Sequence, residues 1–525
     1  MELFQLPTST TSSSSSSSSS FFFILLLLLL LLLVLFSLWL RRWSRWWCNC
    51  EICQAYVTQS WRDKFVNLSD WYSDLLSRSP TQTIHVHVLG NVITANPGNV
   101  RHILKSNFHN YPKGKPFSSI LSDFLGHGIF NVDGPSWLFQ RKLAASSLLL
   151  PSSSSFLTTI VLHELHHRLL PLLLSSSSSA AVVDLQDLFR RFSFDTMCRF
   201  SFGLDPRCLL DVSEFAQAFD LASRLSAERA MVVSPLVWKL QRFFNIGKER
   251  RMKQAIRLVD AVAHQVITKK RNLLLLLLLR PPHDQNHHHQ EEEDLLSRFM
   301  RVVENDDVFL RDIIISFLLA GRDTVAAALT SFFWLLAKHR HVESEILAEA
   351  TRVLGPDDAV VITSYEQVEK LQYLHAAVYE SMRLYPPIQF DSKFAQRDDV
   401  LPDGTAVRKG DRVTYHPYAM GRMEGIWGRD CLEFKPERWL RRRRRSGSFC
   451  PPGNPFEYPV FQAGLRVCLG KEMALVEMKT VAVSLLRRFH FNLTTSESDH
   501  HHPRFSPGLT ATFSGGLPVL VRQRN

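Results

Sequence analysis

The sequence predicts a mainly α, α+β chain with an N-terminal transmembrane helix, and three sets of stretches predict it. Residues 21–40 are apolar except for Ser37, about the ~20 residues that cross a bilayer as a helix. Residues 308–339 and 471–489 place apolar side chains at helical spacing. Residues 83–88 and 91–94 alternate as a small β-hairpin does, between helical patterns at 63–76 and 97–105.

Length and charge narrow the class. With 525 residues and 45% hydrophobic content the chain can bury a large core. The eight cysteines are scattered and imply no disulfide framework, which suits a reducing, cytosol-facing domain. Cys48, Cys50 and Cys53 stand together and offer sites for palmitate or a metal, but no fourth ligand lies close in the sequence, so they read as ordinary thiols. The net charge of +11 comes with no nucleic-acid fold signature. A basic surface facing a membrane and an acidic partner accounts for it.

The N-terminus divides into a Ser-rich tail (1–20), the apolar span (21–40) and a basic, aromatic linker (41–62). Arg41, Arg42 and Arg45 follow the span at once and set that side as cytosolic. No basic segment precedes the span and no small-residue cleavage site follows it, so it reads as an uncleaved single-pass anchor. Trp39, Trp43, Trp46 and Trp47 suit an interfacial belt.

Further along, Trp137 and Arg141 lie one helical turn apart. Ser152–Ser155, Ser175–Ser179, Leu273–Leu279, His287–His289 with Glu291–Glu293, and Arg441–Arg445 are low-complexity tracts and read as expanded surface loops. His163-Glu164-x-x-His167 matches a zinc-peptidase pattern, but three fixed positions in a chain with 21 histidines arise by chance, and no third ligand is evident.

The helical stretch 308–339 carries Ala320-Gly321-Arg322-Asp323-Thr324 at its middle. As a second membrane span it would put Arg322 and Asp323 mid-bilayer, at a cost of several kcal/mol, so it reads as a buried core helix. Glu380 and Arg383 share a helix face, and Pro386 and Pro387 stop that helix. Pro436-Glu-Arg438-Trp439 follows. Then comes Phe461-Gln-Ala-Gly464-Leu-Arg466-Val-Cys468-Leu-Gly470, a glycine-bracketed loop that brings one thiol to the start of a helix. Backbone N–H groups and the helix dipole there favour thiolate, the ligand that an oxygen-activating haem iron requires.

The spacing Phe-x-x-Gly-x-Arg-x-Cys-x-Gly resembles the haem-binding loop of the cytochromes P450. The resemblance implies one P450-fold catalytic domain over 63–525, haem b with Cys468 as axial ligand to the iron, and Phe461 packed beside the sulfur. It also implies that Gly464 and Gly470 allow the turn and the approach to porphyrin, and that Arg466, Trp137, Arg141 and Lys393 serve the propionates, Lys393 standing where many relatives carry Arg. In the same pattern Ala320 and Gly321 form an oxygen-binding groove, Gly321 leaving space for dioxygen. Asp323 and Thr324 relay protons to the oxygen being activated, and Glu380, Arg383 and Arg438 form a buried structural triad. Residues 389–394, 413–422 and 461–464 resemble the plant ω-hydroxylase branch. The tail, Pro507-Gly-Leu-Thr-Ala-Thr512 with Gly515-Gly-Leu-Pro518, is most similar to members that oxidise jasmonoyl-isoleucine.

That resemblance implies an endoplasmic-reticulum monooxygenase with a cytosolic catalytic domain. It would draw electrons from NADPH through NADPH–cytochrome P450 reductase and oxidise the ω-end of a small carboxylic acid with O2, without nucleic acid. The substrate is jasmonoyl-isoleucine or its 12-hydroxy derivative; a fatty-acid ω-hydroxylase is the alternative. Phe124, Ile129, Phe130, Phe317, Ile388 and Phe390 are the expected apolar walls.

Overall fold

The computed structural model describes residues 26–27, 29–34, 48–211, 213–231, 235–278, 294–303, 306–356, 365–441, 448–494 and 502–524. The chain forms two units, one of residues up to Ser60 with His85–Asn91, the other of Trp61–Ile84 with Val92–Asn525. In the first unit, residues 26–27 and 29–34 of the apolar run are helical. Their side chains are 53–62% exposed. The rest of the expected span, and the arginines after it, lie outside the described residues. A short helix, α1 (Glu51–Thr58), follows.

The second unit is mostly helical. Its α2 (Leu68–Arg78) starts at a capping box, in which Asn67 and Asp70 satisfy each other's backbone N–H groups. The hairpin strands follow as β1 (Thr83–Val86) and β2 (Asn91–Thr94), with His85–Asn91 at the hairpin tip counted in the first unit. Helices α3 (Gly114–Leu125), α4 (Gly134–Leu148), α5 (Pro151–Glu164) and α6 (Leu170–Ser178) lead to β3 (Val182–Asp184) and α7 (Leu185–Phe202). Then come α8 (Glu214–Met231), α9 (Gly247–Leu278), α10 (Asp307–Lys338), α11 (Arg340–Leu354) and α12 (Gln372–Leu384). β4 (Asp391–Phe394) and β5 (Arg412–Tyr415) complete a four-stranded sheet in the order β1-β2-β5-β4. After α13 (Lys471–Arg488), β6 (Phe489–Leu493) and β7 (Pro518–Gln523) join β3 in a second sheet, β6-β7-β3.

The architecture is organised around α10, whose 32 residues span about 48 Å. It packs against α7, α9, α12 and α13, and 83% of its apolar window is buried within the protein. That burial makes α10 a core helix and leaves no apolar face for lipid.

The serine and leucine tracts differ from expectation. Ser152–Ser155 lie in α5, most of Ser175–Ser179 in α6, and the described leucines from Leu273 in α9. Packing outweighs the weak local preference of serine for turns. Ser153 is buried, donates to the Ser147 carbonyl and accepts from Arg298, while Ser176 and Ser178 return their hydroxyls to carbonyls four residues back. The His/Glu and Arg tracts fall almost wholly outside the described residues.

Candidate active site

The loop before α13 makes two tight turns, at Pro459–Phe461 and at Gly464–Arg466. Gly464 sits at φ +67°, and a Cβ there would meet the Leu104 carbonyl oxygen at 2.2 Å. Only glycine satisfies both conditions, though the backbone it approaches is that of Leu104. A Cβ on Gly470 would meet open space. The loop closes through the Cys468 N–H, which donates to the Phe461 carbonyl at 2.8 Å.

Cys468 is exposed even though protein surrounds it, and among the described cysteines it is the only exposed one. Its neighbours Leu465 and Val467 are 49% and 39% exposed. The thiol thus stands beside two exposed apolar side chains, surroundings that suit contact with an apolar group. Burial pushes the thiol above its ordinary value, against the pull of the Gly470 N–H, Arg141 and Lys471. Burial and the helix-terminal donors thus act in opposite directions on this sulfur.

The opposite contribution comes from α10. From Leu310 to Leu336 every residue is buried except Phe317, Ala320, Gly321 and Thr324. Their spacing of i, i+3, i+4 and i+7 is one face of a helix, so a single accessible stripe interrupts an otherwise buried cylinder. The Thr324 hydroxyl donates to the Ala320 carbonyl at 2.6 Å. Gly321 differs from expectation in detail: the volume its side chain would take is filled by Met197, whose Sδ lies 2.3 Å from the would-be Cβ. The open space lies over Ala320 and Thr324.

Asp323 is turned roughly 100° around the helix from Thr324. It is buried, 3.3 Å from Arg322, which pairs with the half-exposed Asp220 at 2.6 Å. Arg190 also reaches Asp220, and Arg190 lines a small cavity with Asp323, Gln186 and Thr510–Thr512. Burial raises the Asp323 carboxyl above its ordinary range, and Arg322 partly counters it.

Around Trp137, positive charge collects. Arg141 hydrogen-bonds the Val467 carbonyl at 2.8 Å, so α4 is tied to the cysteine loop. Arg466 stacks on Trp137 at 4.5 Å and pairs with Asp133 at 2.7 Å. Lys393 departs from its expected place: it is fully buried and holds Asp391 at 2.9 Å. Asp391 also accepts from Lys113, Tyr415 and Gln462. Burial pushes the Lys393 ammonium down to about 7, while the two lysines hold Asp391 well below the carboxylate range despite its burial. Lys113 and Lys393 are taken up by Asp391 and Arg466 pairs with Asp133, which leaves Arg141, beside the exposed thiol, without a carboxylate partner among the described residues. Arginines beside an exposed thiol with apolar neighbours fit a cofactor carrying acidic tails. Sequence spacing pointed to Arg141, Arg466 and Lys393 but not to Lys113, Asp133, Asp391 or Met197, whose partners lie far along the chain.

Beneath the loop, Glu380 and Arg383 are fully buried and bidentate, both contacts at 2.8 Å. Glu380 also accepts from Arg438 at 3.3 Å, Trp439 at 2.9 Å and the Lys435 N–H at 3.0 Å. Arg383 spends its remaining donors on the carbonyls of Gly421, Cys431 and Glu433. Of the expected walls, Phe124 is fully buried against Phe219 and is not accessible to a substrate. Phe130 and Phe390 are 38% and 40% exposed, and Ile129, Phe317 and Ile388 are partly accessible.

The zinc-peptidase pattern is used otherwise. Glu164 is fully buried and bound by Arg168 and Arg199, so it has no freedom to activate water. His163 and His167 stack on each other, with His163 also against Arg199.

The cytochrome P450 family model matches residues 41–512. The chain belongs to the cytochrome P450 family. It is 55% identical to cytochrome P450 94C1 of Arabidopsis thaliana, over 91% of this chain and 94% of that one. It is 42% identical to cytochrome P450 94A1 of Vicia sativa, over 89% and 88%. Its fold is similar to that of the cytochrome P450DA heme domain, with TM-score 0.66, 21% identity, and 83% and 88% of the two chains covered. This P450 is accordingly a monooxygenase that carries haem b, receives NADPH electrons through a reductase, and takes O2 and a small-molecule substrate.

Proposed function

We propose that this P450 oxidises the ω-end of carboxylic-acid substrates, foremost jasmonoyl-isoleucine and its 12-hydroxy derivative, from a single-pass anchor in the endoplasmic reticulum membrane. The observation that carries the catalytic half is the accessible stripe Phe317, Ala320, Gly321 and Thr324 on a buried helix packed against the helix that follows Cys468. Haem held by Cys468, with Arg141 and Arg466 toward its acidic tails, would supply the oxygen-activating iron when bound.

The chain's own residues set the rest. Thr324, with its hydroxyl on the Ala320 carbonyl, can turn that hydroxyl to a proton acceptor in the groove. Asp323, its carboxyl raised by burial, lines the small cavity beside Arg190 and would pass protons from there toward the groove. One oxygen atom enters the terminal carbon and the other leaves as water, with two electrons from NADPH. A terminal methyl is less reactive than the internal carbons, so position decides the outcome. Ile129, Phe130, Phe317, Ile388 and Phe390 are the side chains that would hold the hydrocarbon end-on. The choice of jasmonoyl-isoleucine over a fatty acid rests on the resemblance of the tail, Pro507–Thr512 with Gly515–Pro518.

Microsomes containing the full chain and a plant reductase, given NADPH and each substrate class in turn, test the proposal, with Cys468→Ala as blank. Expected are the ω-hydroxy and dicarboxylic products of jasmonoyl-isoleucine. Turnover of fatty acids alone overturns the jasmonate choice. Products oxidised only at internal carbons overturn the ω-end reading.

A further inference from the structure

The three clustered cysteines acquire in the fold the fourth ligand that the sequence around them lacks. Cys48 and Cys50 lie in the segment that enters α1, and Cys53 sits in that helix's first turn. His87 opens the short turn His87–Leu89 at the tip of the hairpin, closed by Gly90 at φ 54°. The Cys48 and Cys50 sulfurs lie 3.5 and 3.8 Å from the His87 Nδ1. All four ligand atoms, including the Cys53 sulfur, fall within 4.8 Å of one another.

The two sulfur–nitrogen separations are close to the edges of a metal tetrahedron, and the 4.8 Å limit on the rest allows its other edges. With zinc–sulfur bonds of about 2.3 Å and zinc–nitrogen bonds of about 2.0–2.1 Å, tetrahedral angles put sulfur and nitrogen about 3.5 Å apart and two sulfurs about 3.8 Å apart. The surroundings fit as well. The His87 ring stacks on His85 at 4.1 Å, which fixes its plane. All three thiols are free. Among the described residues this is the only set of three or more such groups placed to hold an ion.

We propose that Cys48, Cys50, Cys53 and His87 bind one zinc ion, separate from the haem iron, as a closed structural site. Three thiolates and one imidazole fill the tetrahedron and leave no position for water or substrate, so the ion joins chain segments and performs no chemistry. It ties the start of α1, just after the apolar helix, to the hairpin tip, within the same unit of the fold.

The test uses the full chain, purified from membranes without a polyhistidine tag and dialysed against EDTA. Zinc and iron are counted together by mass spectrometry, and zinc-edge X-ray absorption reads the ligands. About one zinc per chain, with three sulfurs at about 2.3 Å and one nitrogen, is expected. Cys50→Ser and His87→Ala should each lose most of it, while Cys450→Ser keeps it. Wild-type protein without zinc overturns the proposal even if every variant misfolds. So does zinc ligated only by nitrogen, as the native histidine tracts would hold it. So does a disulfide or thioester found on these cysteines by intact-mass analysis.

Discussion

Glu380→Gln isolates charge from shape at the buried triad. Glu380 accepts five hydrogen bonds, two from Arg383 and one each from Lys435, Arg438 and Trp439. An amide of the same size has one accepting oxygen, so its NH2 confronts at least two of those donors. Removing one charge of a buried pair costs about 3–5 kcal/mol. Arg383 keeps its three carbonyl partners, which places the expected cost near the lower end, about 3 kcal/mol, or more than a hundredfold in the folding equilibrium. The assay is urea unfolding followed by the carbonyl spectrum of the reduced haem protein, with NADPH-driven turnover expressed per haem retained. The variant should unfold at lower urea and hold less haem, while the haem-bearing fraction turns over at the wild-type rate. A midpoint within about 0.5 kcal/mol of wild type refutes the energetic argument. Full haem retention with turnover lost per haem refutes the structural role.

Thr324→Ala removes the hydroxyl held on the Ala320 carbonyl but leaves the stripe and the cysteine loop intact. NADPH should still be consumed, with product per NADPH falling roughly tenfold or more and hydrogen peroxide rising to match; unchanged coupling would sink the relay role. His416 gives a pH signature. It is buried, its Nδ1 accepts the Ala419 N–H, and burial together with Arg422 pushes its pKa down to about 3. The unfolded imidazole titrates near 6.5, so between about pH 6.5 and 3 the unfolded state binds the extra proton and stability falls as pH falls. His416→Asn keeps an acceptor for the turn and removes the titration. From pH 6.5 to 5 the wild type should lose roughly 1.5 kcal/mol more than the variant, and parallel stability curves would show that the group is not held neutral.

Where the sequence was legible, the reason is that the signal is local. The start and stop of α10 follow from apolar periodicity and from charges at its ends, and α12 ends at Leu384 because Pro386 and Pro387 cannot continue it. The hairpin shows in its alternation. Ser152–Ser155 misled because a serine run has no periodicity of its own. What makes it helical is the apolar face of the residues after it, Leu157, Ile160 and Val161, which are buried in the core.

The site divides along the same line. Ten consecutive residues display the cysteine loop, and five display the groove, so their spacing could be read directly. What surrounds them could not. Gly321 illustrates the difference: spacing assigned its missing side chain to dioxygen, yet the volume is claimed by Met197 from α7. Close helix packing and an open groove therefore impose the same residue at neighbouring points of one turn, and local sequence cannot tell which demand a glycine answers. His87 shows the converse. Nothing beside Cys48, Cys50 and Cys53 in the sequence completes a metal site, because the fourth ligand arrives with a hairpin tip. A cluster completed by folding marks the limit of spacing arguments, since motif spacing registers only ligands that share a segment.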